Sequence, residues 1–346
     1  MFDFKKKITD IHYGEKPFWF SALFLIPACV YFLAVSLKNC SYIVKFRKEK
    51  KVKPYVICVG NITTGGVGKT PIVMEIANNL TNKGKRVCVL SRGYGGKLSG
   101  RKPVLVRDYE KIILDDPFLV GDEVNLVSKN VNCPVIICKN RVAAANYAYE
   151  KLNTEIIVMD DGFSHRKIHR DLNIIVWDAK KLYGNGSMLP LGPLREPLSE
   201  VWRADKIIFV DKNNEINKKL KEYALSLRLP YFICKMDNGE IYNINGEHLN
   251  AGANVLAFSG IGSPEQFYKK LNDFNVVKTI SFDDHYKYSQ KNVNDIIAAA
   301  DKCGADAIIT TEKDMVKISR FQNVEKIYAL KLKPALDIEG VLKEVQ

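Results

Sequence analysis

The sequence has no CxxC pair, no low-complexity tract and no internal repeat in its 346 residues. Its eight cysteines are scattered, at 29, 40, 58, 88, 133, 138, 234 and 303, which excludes zinc-site spacing and a disulfide framework. Cys58, Cys88 and Cys138 sit inside apolar runs and read as reduced thiols in buried strands, so the bulk of the chain belongs in a reducing cytoplasm. The net charge is +13, yet no RNA- or DNA-binding signature accompanies it, and a nucleic-acid partner is not expected. One stretch lacks charge altogether: from Pro17 to Leu37 there is no Asp, Glu, Lys or Arg.

That uncharged run is framed by charge. Residues 1–53 carry eleven Lys/Arg against four Asp/Glu. As a helix, the 21 residues from Pro17 to Leu37 would be about 31 Å long, enough to cross a bilayer or lie deep in one. No small-x-small cleavage site precedes the charged stretch, which disfavours a signal peptide. A core helix of a soluble protein is the alternative. Lys5, Lys6, Lys7 and Lys16 crowd one flank. The larger cluster from Lys45 to Lys53 would face the cytoplasm beside anionic headgroups. Pro27 is expected to kink a spanning helix, so residues 1–53 are predicted to be a membrane-associated segment that embeds rather than spans.

From Pro54 onward, short continuous apolar runs alternate with helical patterns. Tyr55–Val59 reads as a strand, followed by a Gly-rich loop and a helix over about 70–83 that Gly84 can end. Further strands are predicted near 86–90, 133–138, 155–159, 172–177 and 206–210. Continuous apolar runs are the mark of strands buried on both faces, so the fold class is α/β with a mostly parallel sheet covered by helices. Turn signals at Asp237-Asn238-Gly239 and Asn245-Gly246 suggest hairpin strands. The predicted domains are a nucleotide-binding unit over 54–230, a hairpin linker over 231–253 and a smaller α/β lobe over 254–346. Strands near 255–258 and 307–311 belong to that lobe, with a cleft between the two.

The chemical centre is the run from Gly60 to Thr70. Backbone N–H groups of Thr63, Thr64, Gly65, Gly66, Val67 and Gly68, ending at a helix N-terminus, suit phosphate oxygens. Lys69 would neutralise β- and γ-phosphates, and the Thr70 hydroxyl would bind Mg²⁺. The strict phosphate-loop pattern has glycine where this chain has Thr63. A metal-directing acid is expected at a neighbouring strand end, and Asp160-Asp161 supplies two; a solvated Asp-Asp-Gly turn is the bland alternative. His165 could orient substrate or phosphate, or be structural. The glycines of Ser91-Arg92-Gly93-Tyr94-Gly95-Gly96 permit close ligand approach. Asp122 and Glu123 read as acids at a helix start, where the dipole also favours them. Arg195-Glu196, in a Pro-rich loop, offers an Arg for phosphate and a Glu for metal. His285, in Asp283-Asp284-His285-Tyr286, could enter the cleft from the second lobe.

In this order the motifs resemble the tetraacyldisaccharide 4′-kinase family. The carriers are the apolar N-terminus, GNITTGGVGKTP, SRGYGG, GDE, DDGFSH, PLGPLREP, SGIGSPEQF, DDHY and TEKD, spanning roughly residues 17 to 314. The resemblance implies a kinase that uses ATP and Mg²⁺ to phosphorylate the 4′-hydroxyl of an acylated glucosamine disaccharide 1-phosphate, at the cytoplasmic face of the inner membrane. It implies Lys69 and Thr70 on triphosphate and Mg²⁺, with Asp160, Asp161 and Glu196 as metal ligands or metal-orienting acids. Asp122 would be general base, with His285 completing a dyad. Arg195 would steady the transferring phosphoryl, and Arg92 and Glu123 would shape the site. The family tolerates a residue other than glycine at Thr63; Ser164 stands where it commonly has Gln.

The implied partners are the acylated lipid and an anionic membrane surface; no obligatory protein partner is predicted. Two rivals use the same loop. A membrane-tethered nucleotide switch would need neither Arg195-Glu196 nor Asp284-His285, and its hydrolysis would answer to a protein partner. A soluble small-molecule kinase would have its apolar helix in the core.

Overall fold

The computed structural model describes residues 22–212, 216–284 and 286–345, together with Ile8 and residues 11–13. Twelve strands form one sheet: β1 Tyr55–Gly60, β2 Val87–Ser91, β3 Val104–Arg107, β4 Val135–Ile137, β5 Ile156–Asp160, β6 Leu172–Asp178, β7 Lys206–Asp211, β8 Tyr231–Asn243, β9 Asn254–Ser259, β10 Asn275–Ser281, β11 Ala307–Thr311 and β12 Ile327–Ala335. The helices that position the site are α1 Leu25–Ile43, α2 Lys69–Asn82, α3 Asp122–Asn130, α4 Arg141–Leu152, α5 Gln290–Lys302 and α6 Glu312–Ile318. The order across the sheet is β10-β9-β11-β12-β8-β7-β6-β1-β5-β2-β4-β3. Neighbours are parallel except at β12–β8 and β4–β3.

The continuous apolar runs behave as predicted because both faces are covered. Ile72, Val73, Ile76, Ala77 and Leu80 of α2 pack on one face, with Ile57, Val59 and Val158. Ala144, Ala145 and Ala148 of α4 pack on the other, with Cys58, Cys88, Cys138 and Ile157. All eight cysteines are free thiols. Burying each Ile, Val or Leu side chain contributes ~2 kcal/mol, so the phosphate loop grows from a sheet packed on both faces.

Three strands have no counterpart in the sequence reading. β3 is a four-residue antiparallel edge, β10 is an edge with mostly exposed residues, and β12 is internal. The turn expected at Asp237-Asn238-Gly239 is absent, because the thirteen-residue β8 continues through it. β8 pairs with β7 as far as Lys235 and with β12 through Asp237 and Asn238, so the β12 ladder, irregular in register beside Gly239, overrides the local turn signal. At Asn245-Gly246 the chain does turn, with Tyr242 bridging His248.

α1 starts just before Pro27, which therefore sits in its first turn, where no N–H is needed for the helical ladder, and the helix continues to Ile43. Ile26, Val30, Leu33 and Leu37, at helical spacing, are 77%, 61%, 58% and 71% exposed. The opposite side, with Ala28, Val35 and Asn39, is buried.

Candidate active site

The carboxyl end of β1 turns into the phosphate loop beside β5 and β6, at the kind of strand-order crevice where α/β proteins bind ligands. Gly68 has a φ of 93°, and a Cβ there would meet Val210 and Met236 at 3.2 Å. It lets α2 begin with Lys69. Backbone bonds fasten the loop to the Pro-rich segment: Thr64 N donates to Pro193 O at 2.8 Å, and Arg195 N donates to Ile62 O at 2.7 Å. Thr63 is buried and bridges Leu194. A residue that pairs in this strand-like way needs no glycine, which accounts for the departure from the strict pattern. Lys212 Nζ braces the far side, donating to Gly66 O at 2.6 Å and Asp178 Oδ2 at 2.9 Å. Gly65 and Gly66 form the exposed rim, Val67 is buried in the core, and Lys69 and Thr70 are half-buried.

Lys69 and Arg195 converge on one carboxylate. Lys69 Nζ lies 3.5 Å from Asp161 Oδ1. Arg195 donates to Asp161 Oδ2 at 3.1 Å and to Oδ1 at 2.8 Å. Asn61 ties the group together, accepting from Lys69 at 3.2 Å and from Arg195. Burial pushes Asp161 upward, but Lys69 and Arg195 outweigh it and hold the carboxyl well below the usual range. Asp161 itself has a φ of 49°, in the left-handed region that Asp tolerates better than most residues.

Its neighbour is the opposite. Asp160 ends β5 nearly inaccessible, and burial, then the negative charges of Glu123 and Asp161, push it up to about 7. Its Oδ1 is buried without a hydrogen-bond partner, while Ser91 Oγ lies 3.4 Å from Oδ2. An orphaned carboxylate oxygen beside a second acid suits a hard divalent cation. Among the described residues no three His, Cys, Asp or Glu side chains form a metal cage. That suits Mg²⁺, which uses one or two carboxylates together with phosphate oxygens and water.

Glu196 is nearly inaccessible. It accepts from Asn39 Nδ2 at 2.7 Å and Lys38 Nζ at 3.2 Å, and Arg203 lies at 3.6 Å. Burial raises its carboxyl, but Asn39, Lys38 and the Ser164 hydroxyl bring it below its ordinary value. The structure thus places Glu196 against α1, one residue from Arg195.

Asp122 and Glu123 open α3, with Glu123 near enough to Asp160 to raise its carboxyl. Gly121 precedes them with a φ of 97°, and a Cβ there would collide with Tyr94 O, so the GDE and SRGYGG segments are locked together. Two lysines of α6 reach across from the C-terminal half. Lys317 Nζ is 3.7 Å from Asp122 and 3.1 Å from the fully buried Asp314. Lys313 Nζ is 3.5 Å from Glu123 and 3.9 Å from Asp284. Asp314 also accepts from Gly260 N at 2.9 Å and Thr311 Oγ1 at 2.8 Å, which joins the SGIGSPEQF segment to TEKD. His285 lies outside the described residues. His165 has a buried Nε2 without a partner; burial, then Arg141, Arg170, Lys167 and Arg92, push its imidazole down to about 4. Arg92 itself is exposed at the end of β2.

Asn61, Asn39, Lys38 and Lys317 were not singled out from sequence. Asn61 follows a strand directly and Lys317 lies one turn beyond TEKD, which are weak signals. Nothing local marks Asn39, because its partner is 157 residues away.

Residues 20–345 match the family described as Tetraacyldisaccharide-1-P 4′-kinase. A tetraacyldisaccharide 4′-kinase of Geobacter metallireducens is 36% identical over 302 residues, covering 86% of this chain and 88% of that protein. One from Legionella pneumophila is 33% identical over 332 residues, covering 95% and 94%. The crystal structure of LpxK from Aquifex aeolicus in complex with ATP superposes with a TM-score of 0.74 at 33% identity, covering 93% of this chain and 96% of that one. With phosphate loop, paired aspartates and motif order all in place, the chain belongs to the tetraacyldisaccharide-1-P 4′-kinase family.

Proposed function

We propose that this kinase works on a membrane surface, with Asp122 as the base that receives the proton of the acceptor hydroxyl. The reaction is that of its family: ATP phosphorylates the 4′-hydroxyl of the lipid A precursor, a tetraacyldisaccharide 1-phosphate. The carrying observation is the convergence of Lys69 and Arg195 on Asp161, beside the orphaned oxygen of Asp160.

Phosphoryl transfer needs alignment and charge neutralisation more than covalent help. The phosphate-loop amides and Lys69 bind the β- and γ-phosphates, and Arg195 orients the transferring group. Thr70, Asp160 and Asp161 would hold Mg²⁺, which when bound draws charge from the phosphate oxygens. Glu196 holds the loop that aims Arg195. A sugar hydroxyl is a poor nucleophile near neutral pH, so Asp122 takes its proton as the new bond forms. His285 assists it as the second member of a dyad, and Glu123, Arg92 and His165 line the acceptor side.

The outward stripe of α1 supports membrane seating. Placing each of its large apolar side chains in an acyl layer contributes ~2 kcal/mol. The inward side of α1 contacts protein from Tyr31 to Tyr42, which supports a helix that lies along the surface. The cluster from Lys45 to Lys53 sits just beyond its end, as binding to anionic lipid requires. Eight free thiols support a seat on the cytoplasmic face.

The test uses purified protein, Mg²⁺, terminally labelled ATP and acylated disaccharide 1-phosphate in detergent. Label is expected on the lipid. Label released only as free phosphate would instead favour a nucleotide switch.

A further inference from the structure

The inner face of α1 packs Val35 into an apolar cluster with Ile62 and Phe163, and its polar groups reach active-site loops. Tyr31 OH donates to Arg195 O at 3.1 Å, and Asn39 Nδ2 donates to Glu196 Oε2 at 2.7 Å. Lys38 Nζ reaches both Glu196 Oε1 at 3.2 Å and Ser164 O at 3.3 Å. Arg166 returns a bond from the Asp161–Arg166 segment to Asn39 O at 3.2 Å. Asn39 and Glu196 are both almost fully buried, at 1% exposure each. Along little more than two turns, one helix therefore grips the two segments that carry Asp161 and Arg195.

A helix that served only as an anchor would need no polar inner face. Its contacts would be apolar, since a buried amide and carboxylate are costly unless paired. Here the polar groups pair with each other at a site whose purpose is to fix a loop. Glu196 follows Arg195 directly, so a hold on the Glu196 side chain and on Arg195 O restrains the backbone from which the guanidinium reaches Asp161.

We infer that α1 is a strut of the active site as well as its membrane anchor, with Asn39 as the positioning residue that sets Arg195 through Glu196. Seating the helix on the bilayer and aligning the phosphoryl-transfer groups are then one mechanical event. The inference rests on Arg195 acting at the phosphoryl group.

The experiment measures kcat and KM for ATP with the acceptor lipid in detergent micelles, alongside sedimentation with phosphatidylglycerol vesicles and thermal melting. Asn39→Ala is expected to lower kcat about thirtyfold, since misplacements of about an ångström cost up to about a hundredfold. KM for ATP and vesicle binding should stay near wild type. Asn39→Asp, which sets a carboxylate against Glu196, should lose more. Unchanged kcat, or kcat falling only in step with vesicle binding, overturns the strut. Should the Asn39 variants melt below assay temperature, Tyr31→Phe removes a single hydroxyl contact. It is then expected to cost about fivefold in kcat, and no loss overturns the inference equally. Arg195→Ala separates the two readings. If it retains full turnover, the site assignment fails; if it is inactive while the Asn39 and Tyr31 variants are not, only the strut fails.

Discussion

The two sides of the active site are built differently. On the phosphate side, backbone bonds hold the loop to its neighbours, and the anchoring strands are buried on both faces. On the side proposed for the acceptor, Asp122 and Glu123 meet the C-terminal half through two lysine side chains. A phosphate group is the same in every ATP, so its cradle can be rigid. A lipid headgroup bound on the proposed acceptor side would have to be admitted, and ion pairs at a polar seam can re-form at little cost.

The largest expected effect tests the rigid side. Lys69→Ala should reduce kcat/KM by about a thousandfold or more and weaken ATP binding as well, since Lys69 serves bound nucleotide and transition state alike. Steady-state kinetics with nucleotide-binding titrations would show it; ATP affinity left intact would break the comparison. Asp122→Ala should lower kcat by about a hundredfold or more with ATP affinity nearly unchanged. Equal losses in both would make Asp122 a structural residue.

Within the acceptor side, burial separates the lysines. Lys317→Met would leave Asp314 buried with its charge uncompensated, at a cost of about 3 kcal/mol. Lys313, 21% exposed at its side chain, should cost below about 1 kcal/mol when changed to Met. Denaturant unfolding of both variants would sharpen the contrast, and equal losses would erase it.

The smallest effect concerns pH. His165 is held down to about 4 when folded, chiefly by burial and then by Arg141, against about 6.5 when unfolded. Between those values the unfolded chain binds the proton and the folded one resists it, so stability is lost as pH falls through that window. His165→Gln should therefore show a smaller drop in Tm between pH 7 and pH 4.5 than the parent protein. Identical drops would mean that His165 is more open to solvent than its burial indicates.

The legible parts were those where sequence neighbours do the work. Tyr55–Val59 and the glycines through Gly68 declare a strand, a turn and a helix start from local chemistry alone, and Asp160-Asp161 declares a strand end. Asn39 and Lys317 were silent because their meaning lies in partners 157 and 195 residues distant. β3 and β10 were silent for a different reason: exposed edge strands carry no continuous apolar run. Asp237-Asn238-Gly239 misled because pairing with β12, a partner about 95 residues on, outweighs the local turn preference.

β8 belongs to both halves at once, bonded to β7 on one edge and to β12 on the other. Any approach of α6 toward α3 around a bound lipid must then be absorbed as extra coil in a continuous hydrogen-bonded ribbon, because no slack tether joins the halves at that point. Such a ribbon joins the two halves more stiffly than a flexible linker would.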